Sequence, residues 1–132
     1  MGVEIPDWEQ LKHSRWAALS VWRPLRTVTR DCLAVGDKRT IPDTQLHELE
    51  IQHLNGARHG IWQASFDPAQ KFYYKSLMEP EDVVVIKLFD TKEDGRARGS
   101  PHTGFKTDSD SGLPRYSIET RVLVFFEHES AV

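Results

Sequence analysis

Residues 95–126 read GRARGSPHTGFKTDSDSGLPRYSIETRVLVFF, and this stretch decides how the fold is interpreted. Its last part, residues 116–126, combines β-branched and aromatic residues with the two-residue alternation of a strand. In such a strand Arg115, Ser117 and Arg121 point to the same face. The stretch therefore predicts a β-structure with two arginines and a serine on one face.

The part of this stretch before the strand has the composition of turns and loops. Asp94-Gly95 is a hairpin-type signal, and residues 107–114 read TDSDSGLP, which is typical of a loop. Between them, His102 is predicted to lie in a Pro-His-Thr turn. Pro101 fixes the backbone there, and the Thr103 hydroxyl is placed to hold one ring nitrogen.

The rest of the chain reads as short strands with turn signals between them. A short helix is predicted at residues 6–13, where a proline in the first turn is followed by acidic residues. Strand-like runs occur at 16–22, 31–36, 60–66, 71–77, 83–89 and 116–126. Many short strands and little helix favour a β-sandwich or a small open β-barrel.

Size and composition predict a single β-rich domain over residues 1–132. Charged residues make up 28% and hydrophobic residues 39% of the 132, as in ordinary globular domains. The net charge of −3 gives no reason to expect nucleic acid or a membrane as a partner. The single cysteine, Cys32, excludes an internal disulfide and suits a reducing compartment, so we expect a cytoplasmic protein.

The arginines of the last strand have two interpretations. Arg115 or Arg121, together with Ser117, would grip a carboxylate at the mouth of an apolar cavity. Alternatively, this face is solvated and Glu119 pairs with the neighbouring arginines. The sequence does not distinguish Arg115 from Arg121.

Several other residues are candidates for lining a ligand pocket, each with a structural alternative. Lys87, in an apolar strand that ends at Asp90, must reach solvent, pair with an acid or line a cavity. Trp22 is either a ligand platform or a core residue, with Arg23 beside it as a charge partner or a loop cap. The aromatic candidates for shaping a substrate are Trp22, Trp62, Tyr73 and Tyr74.

Phrases spread along the chain, taken in order, resemble one family: the fungal AsaB-type hydroxylase/desaturases, which include a gibberellin desaturase and CmcJ-like proteins. The stretches that carry the resemblance are SVWRPL at 20–25, DCLAVGDKRT at 31–40, QKFYY at 70–74, KLFDTKEDGRARGSPHTGF at 87–105 and PRYSIETRVLVFF at 114–126. They cover most of this chain but match only the C-terminal half of a typical member.

The resemblance implies a double-stranded β-helix fold, of the jelly-roll or cupin type, that is here only partial. It also implies non-haem iron and 2-oxoglutarate chemistry on small molecules of secondary metabolism. His102 would be the far iron ligand, and Arg115 or Arg121 would bind the cosubstrate carboxylate. Arg115-Tyr116-Ser117 also resembles the Arg-x-Ser clamp of plant-type oxygenases.

The sequence departs from the family pattern in two places. No histidine is followed two residues later by an acid, so the His-x-Asp pair of an iron site is missing. Residues 70–74 read QKFYY where the family has His-Arg-Trp-Tyr-Tyr, which removes another histidine. On this basis the sequence predicts an enzyme without metal or other cofactor.

The leading functional hypothesis is therefore a metal-independent cyclase or isomerase of secondary metabolism. An intramolecular Diels–Alder closure is one reaction of this kind. A shaped cavity would fold the substrate, while Arg115, Arg121, His102 and Lys87 supply charge or proton chemistry. One alternative is an iron(II) and 2-oxoglutarate hydroxylase or desaturase, whose missing ligands come from Asp90 or a second subunit. Another is a non-catalytic module that binds a small molecule. We also expect a homodimer, because a partial β-helix leaves a sheet edge uncovered.

Overall fold

The computed structural model describes residues 7–130, and in this part of the chain β-strands dominate. One short helix, α1 (Trp8–Leu11), precedes the strands. The strands are β1 (Ser14–Pro24), β2 (Cys32–Gly36), β3 (Leu46–Gln52), β4 (Arg58–Ala64), β5 (Phe72–Tyr73), β6 (Val84–Asp90), β7 (His102–Phe105) and β8 (Ser117–Ser130). Two single-turn 3₁₀ helices, Lys38–Thr40 and Asp43–Gln45, lie between β2 and β3.

Six of the strands form two antiparallel sheets, and the chain alternates between them. One sheet has the order β6-β1-β8 and the other has the order β5-β2-β7. A complete jelly roll has about eight strands in its two sheets, so each sheet here is one strand short. The mainly β prediction and the partial double-stranded β-helix are confirmed. Strands β3 and β4 pair only with each other, as a separate hairpin.

The core lies between the two sheets. Trp22 of β1 and Ile86 of β6 pack with Cys32 and Leu33 of β2, and Met78 from the β5–β6 connection completes the cluster. Each of these side chains is less than a tenth exposed. Because both sheets contribute, burial of this cluster holds them face to face. No helix among residues 7–130 is long and apolar enough to cross a bilayer.

The structure corrects two of the predicted strands. Strand β5 covers only Phe72–Tyr73, because Leu77 takes a left-handed conformation (φ 49°) and Pro80 follows in a turn. Strand β3 was not predicted, since its sequence LHELEIQ mixes the charged residues with the apolar ones. Its partner β4 supplies the pairing that stabilises it.

The structure also corrects the predictions for His102, for the Asp94-Gly95 turn and for the N-terminal helix. His102 begins strand β7 rather than lying in a turn, because β7 pairs with β2 and Val35 lies opposite His102. The Asp94-Gly95 turn does not close a hairpin, since β6 and β7 belong to different sheets. The predicted helix is shorter than expected, and Pro6 lies outside the described residues.

Candidate functional site

The imidazole of His102 is held in one orientation by the backbone before it. Its Nδ1 lies 3.1 Å from the Ser100 carbonyl oxygen. A carbonyl oxygen only accepts hydrogen bonds, so Nδ1 donates and Nε2 keeps its lone pair. A glycine precedes this turn because the chain passes close to β6: a Cβ on Gly99 would stand 2.8 Å from the Leu88 carbonyl oxygen. The ring is exposed, so Nε2 is available as a ligand atom or as a proton acceptor.

Arg115 lies on the same face of β7 as His102. His102 and Gly104 are two residues apart on this strand, so they share a face. A Cβ added to Gly104 would stand 3.5 Å from Nη2 of Arg115, so the guanidinium lies directly over this glycine. The indole of Trp22 also contacts the guanidinium, and the distance from the Arg115 Cζ to the indole ring centroid is 5.5 Å.

The Arg115 guanidinium has a buried donor without a protein partner. Its Nη1 is out of contact with solvent and makes no hydrogen bond among the described residues. An orphaned cationic donor is costly in an apolar setting unless an anion or water pairs with it. A carboxylate is the partner that such a guanidinium donor binds most strongly.

Arg121 is in a different situation. Its Nε donates to Glu119 Oε1 at 3.0 Å, and its side chain is 76% exposed. This hydrogen bond is the main reason why the pKa of Glu119 is lowered. Ser117 begins β8, opposite Pro24. The geometry thus distinguishes the two arginines that the sequence left equal, and Arg115 has the unpaired donor.

A small cavity opens between the start of β2, the segment that follows β5 and the loop that follows β7. Its volume is about 230 Å³, and its walls include Val28, Cys32, Tyr74 and Asp110. Tyr74 is fixed by an edge-on contact with Phe105, with ring centroids 4.8 Å apart. Burial raises the pKa of the Cys32 thiol, which keeps it protonated and poorly nucleophilic. The cavity mixes apolar and polar walls and suits part of a small organic molecule.

Asp90 and Lys87 belong to a structural ion-pair cluster. Both carboxylate oxygens of Asp90 accept from Arg15, at 3.1 Å from Nε and 2.9 Å from Nη2. Lys87 Nζ lies 2.9 Å from Asp90 Oδ2, so the lysine pairs with an acid, as one of its three interpretations held. Asp90 is fully buried, and its hydrogen bonds hold its pKa well below the usual range. Its oxygens are already occupied, so it does not fit the role of a metal ligand.

The structure does not bring the remaining candidates together with His102 and Arg115. Trp62 is 68% exposed on the separate β3–β4 hairpin, and Tyr73 is 61% exposed on β5. Arg23 is exposed, while its neighbour Trp22 is a core residue that also forms a wall of the arginine site. Of the predicted aromatic residues, Trp22 contacts Arg115 and Tyr74 lines the cavity.

The described residues do not provide a complete iron site. A facial triad requires two histidines and a carboxylate around one point. Among residues 7–130 no group of three histidine, cysteine or acidic side chains is arranged to hold a metal ion. Among the described residues, His102 therefore belongs to no three-ligand group. Arg115, by contrast, has a buried guanidinium donor without a partner among the described residues.

Two residues that hold these clusters together, Gly104 and Arg15, were not singled out from the sequence. Gly104 leaves space for the Arg115 guanidinium because it has no side chain. Its position two residues after His102 could have indicated that the two residues share a strand face. Glu119 was predicted as a partner of the neighbouring arginines in the alternative interpretation, and it does bind Arg121. Arg15 gave no signal, because its partner Asp90 is distant in the sequence and meets it only through β1–β6 pairing.

Comparison with known proteins identifies similar sequences. Residues 3–125 match the family model described as YDMC, the oxidoreductase/YMDC permease-like domain. The chain is 41% identical over 133 residues to hydroxylase/desaturase efuI of Hormonema carpetanum, covering 93% of this chain and 45% of that protein. It is 38% identical over 136 residues to hydroxylase/desaturase asaB of Aspergillus flavus, covering 92% and 60%.

The fold is also similar to a solved enzyme structure. The iron and alpha-ketoglutarate-dependent endoperoxidase NvfI superposes with a TM-score of 0.81 at 34% sequence identity. The match covers 91% of this chain and 46% of that one. The chain thus spans about half the length of the proteins it matches.

Proposed function

We propose, since this chain belongs to the oxidoreductase/YMDC permease-like domain family, that it forms part of an oxidative enzyme of secondary metabolism. The resemblance to the fungal hydroxylase/desaturases is confirmed by the relatives named efuI and asaB. The similarity to NvfI, an iron and alpha-ketoglutarate-dependent enzyme, supports the oxygenase alternative better than the metal-independent cyclase. The cyclase hypothesis has no support from these relatives.

The observation that carries the proposal is the unpaired Nη1 of Arg115. It is buried, cationic and enclosed by the Trp22 indole on one side and Gly104 on the other. A carboxylate would give the orphaned donor its missing partner, and a charged hydrogen bond of this kind contributes about 1.5–3 kcal/mol. The proposed ligand is the distal carboxylate of 2-oxoglutarate.

His102 supplies the second part of the proposed site. Its Nε2 lone pair is free, and its ring shares a strand face with the Arg115 position. The described residues hold this one candidate ligand and do not by themselves bind iron as a facial triad. The chain therefore contributes the histidine-and-arginine half of an oxygenase site.

Isothermal titration with 2-oxoglutarate tests this proposal on the chain as it stands. We compare the wild type with R115M and R121M. Both variants remove one arginine charge, Arg115 just before β8 and Arg121 within it. R115M should weaken binding by roughly ten- to a hundredfold, because the charge-assisted bond is lost. R121M should bind nearly as well as the wild type, since Arg121 is exposed and already paired with Glu119.

The fold of each variant is checked by circular dichroism before titration. Equal loss in both variants, or no loss in R115M, would remove Arg115 as the carboxylate clamp. Saturable binding of an apolar polyene with no response to 2-oxoglutarate would instead favour the cofactor-free cyclase hypothesis.

A further inference from the structure

Strand β8 presents a long open edge. It is the outermost strand of the β6-β1-β8 sheet, so on one side the backbone of residues 118–126 meets no other described strand. An open edge of unpaired N–H and C=O groups is a template for another strand. The sequence SIETRVLVFFEHES contains neither proline nor lysine, the residues that commonly protect such edges.

The middle of this edge is apolar, and aromatic contacts within the chain hold two of its side chains. Val122 and Leu123 are 37% and 43% exposed. Phe126 is held in place by Arg15, whose Cζ lies 4.0 Å from the ring centroid, and Phe125 contacts Trp8 edge-on at 6.4 Å between ring centroids. The edge is therefore an extended, preformed surface that needs little ordering to bind a partner strand.

The charge pattern of the edge complements itself. Residues 121–127 read RVLVFFE: a positive charge, five apolar residues and a negative charge. If two copies pair antiparallel with Val124 opposite Val124, the apolar residues face each other and Arg121 faces Glu127 of the second copy, twice. Arg121 is 76% exposed and binds Glu119 through its Nε, and Glu127 has no ion-pair partner within residues 7–130. The Nη atoms of Arg121 and the carboxylate of Glu127 are therefore available for this contact.

The pleat of the sheet selects this register. A continuous sheet across a two-fold axis requires opposing residues to lie on the same face, and a shift by one residue reverses every side chain. Of the registers that keep the faces matched, centring on Leu123 places Glu119 against Glu127, and centring on Phe125 places Leu123 against Glu127. Only the register centred on Val124 sets the whole apolar block against itself.

We propose that β8 is a dimerisation edge and that its occupant is a second copy of this chain. The two β6-β1-β8 sheets join antiparallel through β8 about a two-fold axis at Val124. Two Arg121–Glu127 pairs flank the shared apolar block, and the result is one sheet of six strands. This interface does not depend on the proposed 2-oxoglutarate site.

Cysteine crosslinking measures the register directly. V124C places two thiols opposite each other at the axis and should form an intermolecular disulfide in mild oxidant. V122C is the matched control, because its copy lies four residues along the strand, roughly 13 Å away. A disulfide needs Cα atoms about 4.4–6.8 Å apart, so V122C should not crosslink. The native Cys32 is 6% exposed and does not compete.

A charge exchange tests the flanking pairs by light scattering at tens of micromolar. R121E and E127R each set like charges opposite one another twice, so each should weaken the dimer at least tenfold. The double variant R121E/E127R restores opposite charges and should restore the dimer. Circular dichroism checks that the single variants are folded. If R121E or E127R does not fold, the comparison of V124C with V122C still tests the interface independently.

A wild-type monomer at these concentrations would overturn the proposal. Equal crosslinking of V122C and V124C would exclude this register. A double variant no better than the single ones would exclude the Arg121–Glu127 contact. Capture of the edge by the N-terminal half of a relative such as asaB, without any self-association, would show that the strand serves a different occupant.

Discussion

Removing the charge of Asp90 should destabilise the fold far more than removing the same charge at the surface. The change is D90N, which keeps the shape of the side chain but ends its ion pairs with Arg15 and Lys87. Asp90 is fully buried and the Arg15 side chain is 9% exposed, so the arginine would keep a buried charge with only Glu129 as partner. Breaking one side of such a buried pair costs about 3–5 kcal/mol.

The chain offers a matched control in Asp94. It pairs with Arg96 by the same carboxylate–guanidinium chemistry, but the two side chains are 38% and 39% exposed. An exposed pair contributes about 1 kcal/mol or less, so D94N should change the free energy of unfolding by no more than that. Urea unfolding followed by circular dichroism at neutral pH measures both variants.

The pH dependence gives a second readout. The Arg15 hydrogen bond holds the folded-state pKa of Asp90 well below its usual range. A depressed pKa stabilises the fold above the unfolded-state value of about 4, and this stability is lost as the pH falls towards the folded-state value. The wild type should therefore lose stability below pH ~4, and D90N should lose less over the same range.

If D90N does not fold, the double variant R15M/D90L keeps the reasoning testable. Replacing both partners by apolar side chains removes the orphaned charge, so this variant should be more stable than D90N. Losses of equal size in D90N and D94N would refute the conclusion that burial makes the Arg15–Asp90 pair important.

Two further predictions concern iron and a glycine. Elemental analysis after anaerobic loading with iron should find far less than one iron per chain, because the described residues hold no three-ligand group. The H102A variant should bind even less iron. Near-stoichiometric iron would contradict the conclusion that this chain provides only part of an iron site. G99A should clearly lower the melting temperature, since its Cβ would stand 2.8 Å from the Leu88 carbonyl oxygen. In the control G60A the new Cβ meets only the flexible Glu48 side chain, so the melting temperature should change little. Equal shifts in the two variants would show that the close approach at Gly99 is relieved without cost.

The sequence predicted most of the β-structure because its signals are local. Alternation and β-branched residues mark β1, β2, β6 and β8 within a few residues of their observed limits. Where the signal depends on a distant partner, the prediction failed. His102 looked like part of a turn because Pro101 precedes it, and only pairing with β2 makes it the start of a strand.

The candidate site could be predicted only in part for the same reason. His102 and the two arginines were proposed as candidates from their types and spacing. The difference between Arg115 and Arg121 was hidden, because it depends on Gly104 and Trp22, which come from two other strands. The burial of Asp90 was equally hidden, since Arg15 reaches it across 75 positions of sequence.

The position of β8 at the side of β1 has a consequence for how the chain folds. Their pairing joins Ser14 to Ser130, so the loop that closes this ladder spans nearly the whole described chain. Contacts this distant in sequence slow folding, because the entropy of closing the loop is lost before they form. During synthesis the β3–β4 hairpin can form early from neighbouring residues. The apolar flank of β1 must wait for β8 to leave the ribosome, and we expect the nascent chain to depend on chaperones during that interval.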